Sequence, residues 1–157
     1  MMVKKSQSAA CKAIEYIMSD IKDLTDSINA LSTIIHARNV QAGWWTDLKT
    51  GEDLRGFKEG YPETPANAKR DVLNLLCLVH SEVSEACEGV RKNLMDDKLP
   101  HRSMFEVELA DVFIRIFDIA GAHGLDLGGA IEEKLNYNSV REDHKPENRV
   151  KDGGKAC

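Results

Sequence analysis

The sequence predicts an all-α protein, a bundle of four to five helices that begins with a long amino-terminal helix. Apolar residues recur in steps of three and four in separate stretches, as they do along amphipathic helices. No proline precedes Pro62 and no glycine precedes Gly43, so the first stretch is free of helix breakers. We expect a single domain over residues 1–145, with 1–27 as a helical extension and 146–157 as a disordered tail.

The first predicted helix extends from about Ser8 to Gln41. Its apolar residues form an unbroken heptad pattern of Ile14, Ile17, Ile21, Leu24, Ile28, Leu31 and Ile35. The polar stretch 25–27 is an alternative place for a helix to begin, but the phase of the pattern continues across it. The stripe suits either a core-facing surface or a seam between subunits, and both interpretations stay open.

Residues 43–64 predict a long loop that contains four glycines and two adjacent tryptophans, Trp44 and Trp45. Loops of this length inside a compact domain typically bind a ligand or cover a site. Two adjacent side chains of an extended segment cannot both point into the core, so one tryptophan is expected to be available for stacking. The alternative is that both tryptophans close the end of the bundle.

Three further helices are expected after the loop. Thr64 and Pro65 suit the start of the second, whose predicted buried stripe is Val72, Leu76, Val79, Val83, Ala86 and Val90. The third, about residues 103–123, is apolar around most of its circumference, which predicts burial. The fourth is expected over about residues 127–141, with Asp126 as its N-cap.

The second and third predicted helices each carry two carboxylates three residues apart, which are Glu82 and Glu85, then Glu108 and Asp111. That spacing turns through about 300° on a helix, so both side chains of a pair share one face. Four converging carboxylates repel one another unless a hard divalent cation such as Mg²⁺ lies among them. The sequence therefore predicts a metal site between these two helices.

The fourth predicted helix carries three polar donors on one face, namely Lys134, Asn138 and Arg141, in steps of four and three. Placed opposite the carboxylates, these side chains would hold the oxygens of a polyphosphate. A solvated basic face near a helix carboxyl terminus is the alternative.

The charge and cysteine content exclude several classes of protein. The formal net charge is −5, and no dense basic cluster stands outside the short Lys4-Lys5 pair, so binding to nucleic acid is not expected. The four cysteines lack metal-ligand spacing and predict reduced thiols. The longest apolar run, residues 75–79, cannot span a bilayer, so we expect a cytoplasmic protein without a membrane partner.

The two carboxylate pairs resemble a known motif. Ser81-Glu82-x-x-Glu85 followed by Glu108-x-x-Asp111 is similar to the Glu-Glu-x-x-Glu and Glu-x-x-Asp motif of the MazG-like all-α nucleoside triphosphate pyrophosphatases, a superfamily that includes dimeric dUTPases and dCTP pyrophosphatases. Ser81 stands where many members have the first Glu. The Lys134, Asn138 and Arg141 pattern resembles the last helix of the family, and the likeness covers residues 28–145.

This resemblance implies the hydrolysis of a nucleoside triphosphate to the monophosphate and pyrophosphate, with Mg²⁺ or Mn²⁺ as cofactor. It implies metal ligation by the four carboxylates, catalysis by Glu82 and Glu85, and triphosphate binding by the three donors of the last helix. His36 and Trp45 are similar to base-contacting positions of dCTP-cleaving members, with Trp44 competing for the role of Trp45. A homo-dimer or homo-tetramer is expected.

Two other classes compete with this hypothesis. A di-iron carboxylate protein needs Glu-x-x-His pairs, and neither carboxylate pair supplies one. A non-enzymatic helical oligomerisation or adaptor module would instead use the apolar stripe of the first helix. The acidic residues of such a module would form buried structural ion pairs with Arg115 and Lys134.

Overall fold

The computed structural model describes the backbone of residues 9–151 and the side chains of residues 24–151. The α-helices are α1 (Ala9–Gln41), α2 (Val72–Lys92), α3 (Met104–Ala122), α4 (Leu127–Val140) and α5 (Pro146–Arg149). The described part of the chain has isolated bridges but no β-strand, which confirms the all-α prediction. None of the described helices is long and apolar enough to cross a membrane.

Helix α1 is continuous over 33 residues, as the uninterrupted heptad phase predicts. Residues 25–27 lie inside it and do not begin a second helix. The first three members of the predicted apolar stripe, Ile14, Ile17 and Ile21, lie outside the described side chains.

The described part of the chain divides into two compact units, a central one of residues 30–125 and one formed by residues 9–29 with 126–151. In the unit formed by the chain ends, Asp126 caps α4 as predicted, because its Oδ1 accepts the N–H of Gly129 at 2.9 Å. Asn29 of α1 donates to the same oxygen at 2.7 Å and accepts the N–H of Gly128 at 2.9 Å. The start of α4 is thereby fixed to α1.

The carboxyl-terminal residues of this unit contain further helical turns. A 3₁₀ turn, Glu142–His144, follows α4, and α5 lies within the segment for which we predict disorder. Residues 152–157 of that segment lie outside the described part of the chain.

In the central unit, α3 returns antiparallel alongside α2. Asn93 ends α2 in the left-handed conformation, at φ 52°. The N–H of Met104 then donates to the carbonyl of Leu94 at 3.0 Å, which closes the connection into a tight hairpin. Ser103 caps α3, so the predicted bounds of this helix are confirmed.

The predicted start of the second helix at Pro65 is wrong. Residues Pro65–Asn67 form only a 3₁₀ turn, and α2 begins at Val72, where Asp71 accepts the N–H of Leu73 at 2.9 Å. The reason is a long-range pairing: Ala68 forms an antiparallel bridge with Phe57, which holds this segment in an extended form.

The predicted buried stripe of α2 is also wrong in part. Leu76, Val83 and Val90 are 45%, 43% and 59% exposed, whereas the buried residues of α2 are Leu75, Glu82, Ala86 and Gly89. The partner of α2 is α3, which covers a single face of it, and that face is centred on Glu82. The buried face of α2 therefore combines one acid with small and apolar residues, and several large apolar side chains of the helix stay exposed.

Candidate metal centre

Three of the four predicted metal ligands converge between α2 and α3. One carboxylate oxygen from each of Glu82, Glu108 and Asp111 lies within 4.8 Å of the other two. Glu82 and Glu108 are only 6% and 7% exposed, and Asp111 is half-buried. Buried carboxylates are costly unless a cation or a proton compensates their negative charge.

Small residues bring the two helices close enough for this contact. Ala86 and Gly89 follow Glu82 on one face of α2, in steps of four and three. A Cβ atom on Gly89 would lie 3.1 Å from the Met104 side chain and from the Phe105 backbone nitrogen. Glycine at this position therefore lets α2 and α3 pack closely enough for their carboxylates to meet.

The clustering of negative charge changes the protonation of the site. Burial, a hydrogen bond with Glu82 and the charges of Glu85, Glu82 and Asp111 raise the pKa of Glu108 to about 7. Burial and the charge of Glu82 also raise the pKa of Asp111, against the opposing effect of Arg115. With a pKa of about 7, Glu108 is about half protonated at neutral pH, and a divalent cation would displace this proton.

Glu85, the fourth predicted ligand, lies outside this group of three and is exposed, although its charge is felt by Glu108. Asp96 is a further acid near the cluster that the motif spacing did not identify, and its charge helps to raise the pKa of Asp111. Asp96 is buried in the connection between α2 and α3, where its carboxylate accepts the N–H groups of Lys98 and Leu99. The polar sequence between α2 and α3 does not indicate that Asp96 is buried.

A cation already belongs to the cluster. Arg115 donates from Nε to Oε1 of Glu82 at 2.7 Å, and its Nη2 atom lies 2.5 Å from the same oxygen. Arg115 lies on α3, one turn after Asp111, so the helix geometry itself places it beside the carboxylates.

A pocket of about 360 Å³ adjoins the carboxylates, because Asp111 and Arg115 line it. Apolar side chains of α2 and α3 form one part of the wall, and Asn39, Trp44 and Arg70 form another. This volume and this mixture of apolar walls with a few polar groups are typical of small-ligand sites.

The two adjacent tryptophans have different environments, as predicted. Trp45 is 3% exposed, and its Nε1 donates to Oδ1 of Asp118 at 3.0 Å. Trp44 is 65% exposed and lines the pocket, so Trp44 is the tryptophan that is available to a ligand.

The two positions that resemble base contacts, His36 and Trp45, both contact Asp118. Nδ1 of His36 lies 2.8 Å from Oδ1 of Asp118, and the His36 ring meets the Trp45 ring edge-on at 5.1 Å. The sequence alone gives no indication that Asp118 has these partners.

Arg70, which no sequence motif indicated, contacts both tryptophans. Its Nη1 atom donates to the carbonyl of Trp44 at 2.6 Å, and its guanidinium lies 4.8 Å from the centroid of the Trp45 ring. Arg70 therefore anchors the start of the loop at the edge of the pocket.

The three predicted donors, Lys134, Asn138 and Arg141, belong to the unit formed by the chain ends. Lys134 and Arg141 both lie over the Tyr137 ring, at 5.1 Å and 5.6 Å from its centroid. Arg141 also pairs with Asp143 through two hydrogen bonds of 2.9 Å and 2.5 Å. Asn138 is half-buried.

The residues present fit a small hard cation. Magnesium takes oxygen ligands at about 2.0–2.1 Å in octahedral geometry and keeps several waters, so two ligands of one ion lie at most about 4.2 Å apart. Oxygens that lie within 4.8 Å of one another reach this separation with a side-chain shift of about half an ångström. Glu82, Glu108 and Asp111 would supply these oxygens.

Comparisons of the chain with protein-family models, curated proteins and solved structures give no significant match.

Proposed function

We propose that this chain is a MazG-like nucleotide pyrophosphohydrolase that uses Mg²⁺ or Mn²⁺ to hydrolyse a nucleoside triphosphate to the monophosphate and pyrophosphate. The observation that carries the proposal is the convergence of Glu82, Glu108 and Asp111 at the edge of a pocket of about 360 Å³. A metal site at the edge of a pocket suits the cleavage of a phosphoanhydride whose organic part occupies the pocket.

The buried and the exposed side chains of the site have different proposed roles. Glu82, Glu108 and Asp111 hold the cation, which when bound would neutralise phosphate charge and lower the pKa of a water. Glu85 is exposed beside them and accepts the proton of the attacking water. Trp44 offers an exposed ring for stacking on the base.

The remaining predicted substrate contacts come from the last long helix. Lys134, Asn138 and Arg141 are proposed as triphosphate-binding residues on the sequence resemblance alone.

We also propose that the protein is a homo-dimer or homo-tetramer. Leu76, Val83 and Val90 on α2 lie about 80–120° around the helix from Glu82, at 100° per residue. On α3, the exposed Phe105, Leu109 and Phe113 lie about 60–140° from Glu108 in the same sense. Because the helices are antiparallel, both sets lie on one side of the hairpin, opposite Glu85 and Asp111.

A second copy of this chain is the occupant that suits this face. Six large apolar side chains, each 38–59% exposed, make a patch comparable to the largest on ordinary monomers, about 300–600 Å². The pairing of the same face on two chains would complete a four-helix layer and leave both carboxylate clusters on its outer sides.

One observation favours the second candidate function, a helical adaptor module without activity. The ion pair between Arg115 and Glu82 is one of the buried pairs that this hypothesis requires. A satisfied ion pair would give the carboxylates a structural role without any metal.

Pyrophosphate release distinguishes the two candidate functions. The native protein should release pyrophosphate from at least one canonical or modified dNTP or NTP in the presence of Mg²⁺. Glu85→Gln and Asp111→Asn should abolish release while the circular dichroism spectrum stays unchanged.

Glu88→Gln is the matched control, since Glu88 lies one turn after Glu85 and pairs with Arg91 on the polar side of α2. This variant should keep full activity. Full activity in Glu85→Gln and Asp111→Asn, or no release from any nucleotide, would refute the proposed site.

A further inference from the structure

We propose that Arg115 is an internal counter-ion that a divalent cation must displace from Glu82, and that its release turns the guanidinium toward the adjoining pocket. The inference rests on the proposed metal site and adds a regulatory step to it. In this account cation binding and anion binding are coupled through one side chain.

The contact between Arg115 and Glu82 is the first argument. The Nε and Nη2 atoms of Arg115 both reach Oε1 of Glu82, at 2.7 Å and 2.5 Å. Glu82 is 6% exposed, so it has little access to solvent, and the guanidinium is its compensating charge. A metal ion that binds the same oxygen of Glu82 would therefore replace this interaction.

The charge balance is the second argument. Three carboxylates with converging oxygens carry up to three negative charges, and the guanidinium of Arg115 neutralises one of them. A divalent cation among the same oxygens would lie a few ångströms from the guanidinium, and like charges at that distance repel strongly inside a protein. The two cations therefore compete for the cluster.

The surroundings of Arg115 are the third argument. Its side chain is 38% exposed, and it lines the pocket of about 360 Å³ beside the carboxylates. The guanidinium can therefore move into open space when it leaves Glu82. In its new position it would offer donors to an anionic group in the pocket, so a bound cation prepares the pocket for an anion.

The opposite role is also physically reasonable and must be separated from this one. Side chains that hydrogen-bond to a metal ligand often orient it and strengthen metal binding. If Arg115 orients Glu82, its removal weakens metal binding. If Arg115 competes as a counter-ion, its removal strengthens metal binding.

Calorimetric titration of the full chain with MnCl₂ alone, without nucleotide, separates the two roles. Arg115→Gln should bind Mn²⁺ at least about tenfold more tightly than the native protein, because the competing charge is gone. Arg91→Gln is the matched control, since it removes the same charge from an exposed pair with Glu88 on α2. Its affinity should stay within about twofold of the native value.

Arg115→Lys provides a second measurement if the glutamine variant does not fold. Lysine keeps the charge but loses the two-atom contact, so a counter-ion predicts affinity near the native value, whereas an orienting role predicts a loss. Equal or weaker binding by Arg115→Gln, or a tenfold loss in Arg115→Lys, would overturn the inference and leave the metal site intact. No Mn²⁺ binding by any of the proteins would overturn the metal site as well.

Discussion

The raised pKa of Glu108 predicts that the metal-free protein loses stability as the pH rises through neutrality. Burial and neighbouring carboxylates raise this pKa from 4.5 to about 7, so the folded protein holds the proton more tightly than the unfolded chain does. The resulting stabilisation is fully present below pH 4.5 and is lost as the pH rises through about 7. The difference between the two pKa values corresponds to about 3 kcal/mol.

Glu108→Gln tests this reasoning, because glutamine resembles the protonated acid at every pH. Urea unfolding in EDTA at pH 5 and pH 8.5 should show the variant gaining about 2 to 3 kcal/mol relative to the native protein between the two pH values. Glu88→Gln is again the control, since Glu88 is ionised throughout this range because its ion pairs lower its pKa.

The change with pH in the stability difference between Glu108→Gln and the native protein decides whether the pKa of Glu108 is raised. A constant difference between Glu108→Gln and the native protein at both pH values would show that Glu108 titrates normally, and the clustered arrangement would then be wrong. Addition of Mg²⁺ should remove most of the loss at pH 8.5, because the cation replaces the proton as the neutralising charge.

Three further predictions concern the surroundings of the site. Trp45→Phe should lower the free energy of unfolding in urea by about 1 to 3 kcal/mol, because it removes the buried hydrogen bond to Asp118. Trp44→Phe should change this free energy little, and it should abolish the tryptophan fluorescence that acrylamide quenches, because Trp44 is the exposed tryptophan. Gly121→Ala should lower the unfolding free energy by about 1 to 3 kcal/mol, because its Cβ would lie 2.5 Å from the carbonyl of Ser32; native stability in this variant would contradict the close helix approach. Phe113→Gln should shift the protein toward monomer in analytical ultracentrifugation, and an unchanged oligomer would exclude the apolar face as the interface.

The ends of most helices were predictable because their signals are local. Ser103 and Asp126 cap α3 and α4 through hydrogen bonds that span three residues, and Gly124 adopts a left-handed φ of 60° just after α3. The continuity of α1 follows from a heptad phase that the sequence shows directly.

The start of α2 was not predictable, because it depends on a contact between distant residues. Thr64-Pro65 is locally a good beginning for a helix, but the pairing of Ala68 with Phe57 holds the chain extended beyond that point. No local rule reports this pairing.

The buried face of α2 was misjudged for a related reason. Hydrophobic patterning gives the direction that favours burial, but α3 packs on the face that carries Glu82. The patterning therefore describes the surface that we propose for subunit contact.

The candidate site was predictable in part. The spacing of Glu82, Glu108 and Asp111 places them on two facing helix surfaces, and the structure gathers their oxygens. The ion pair of Arg115 with Glu82 and the contacts of Asp118 depend on side-chain directions that spacing alone does not specify.

Thermal unfolding with and without Mg²⁺ tests the central claim, that these carboxylates form a divalent-cation site, most directly. At a Mg²⁺ concentration about one hundred times the dissociation constant, binding adds about 3 kcal/mol to the stability of the native protein, which corresponds to a rise in melting temperature of several degrees. We expect that rise in the native protein and in Glu88→Gln, and its loss in Asp111→Asn. An equal response to Mg²⁺ in the native protein and in Asp111→Asn, or no response in either, would contradict the account.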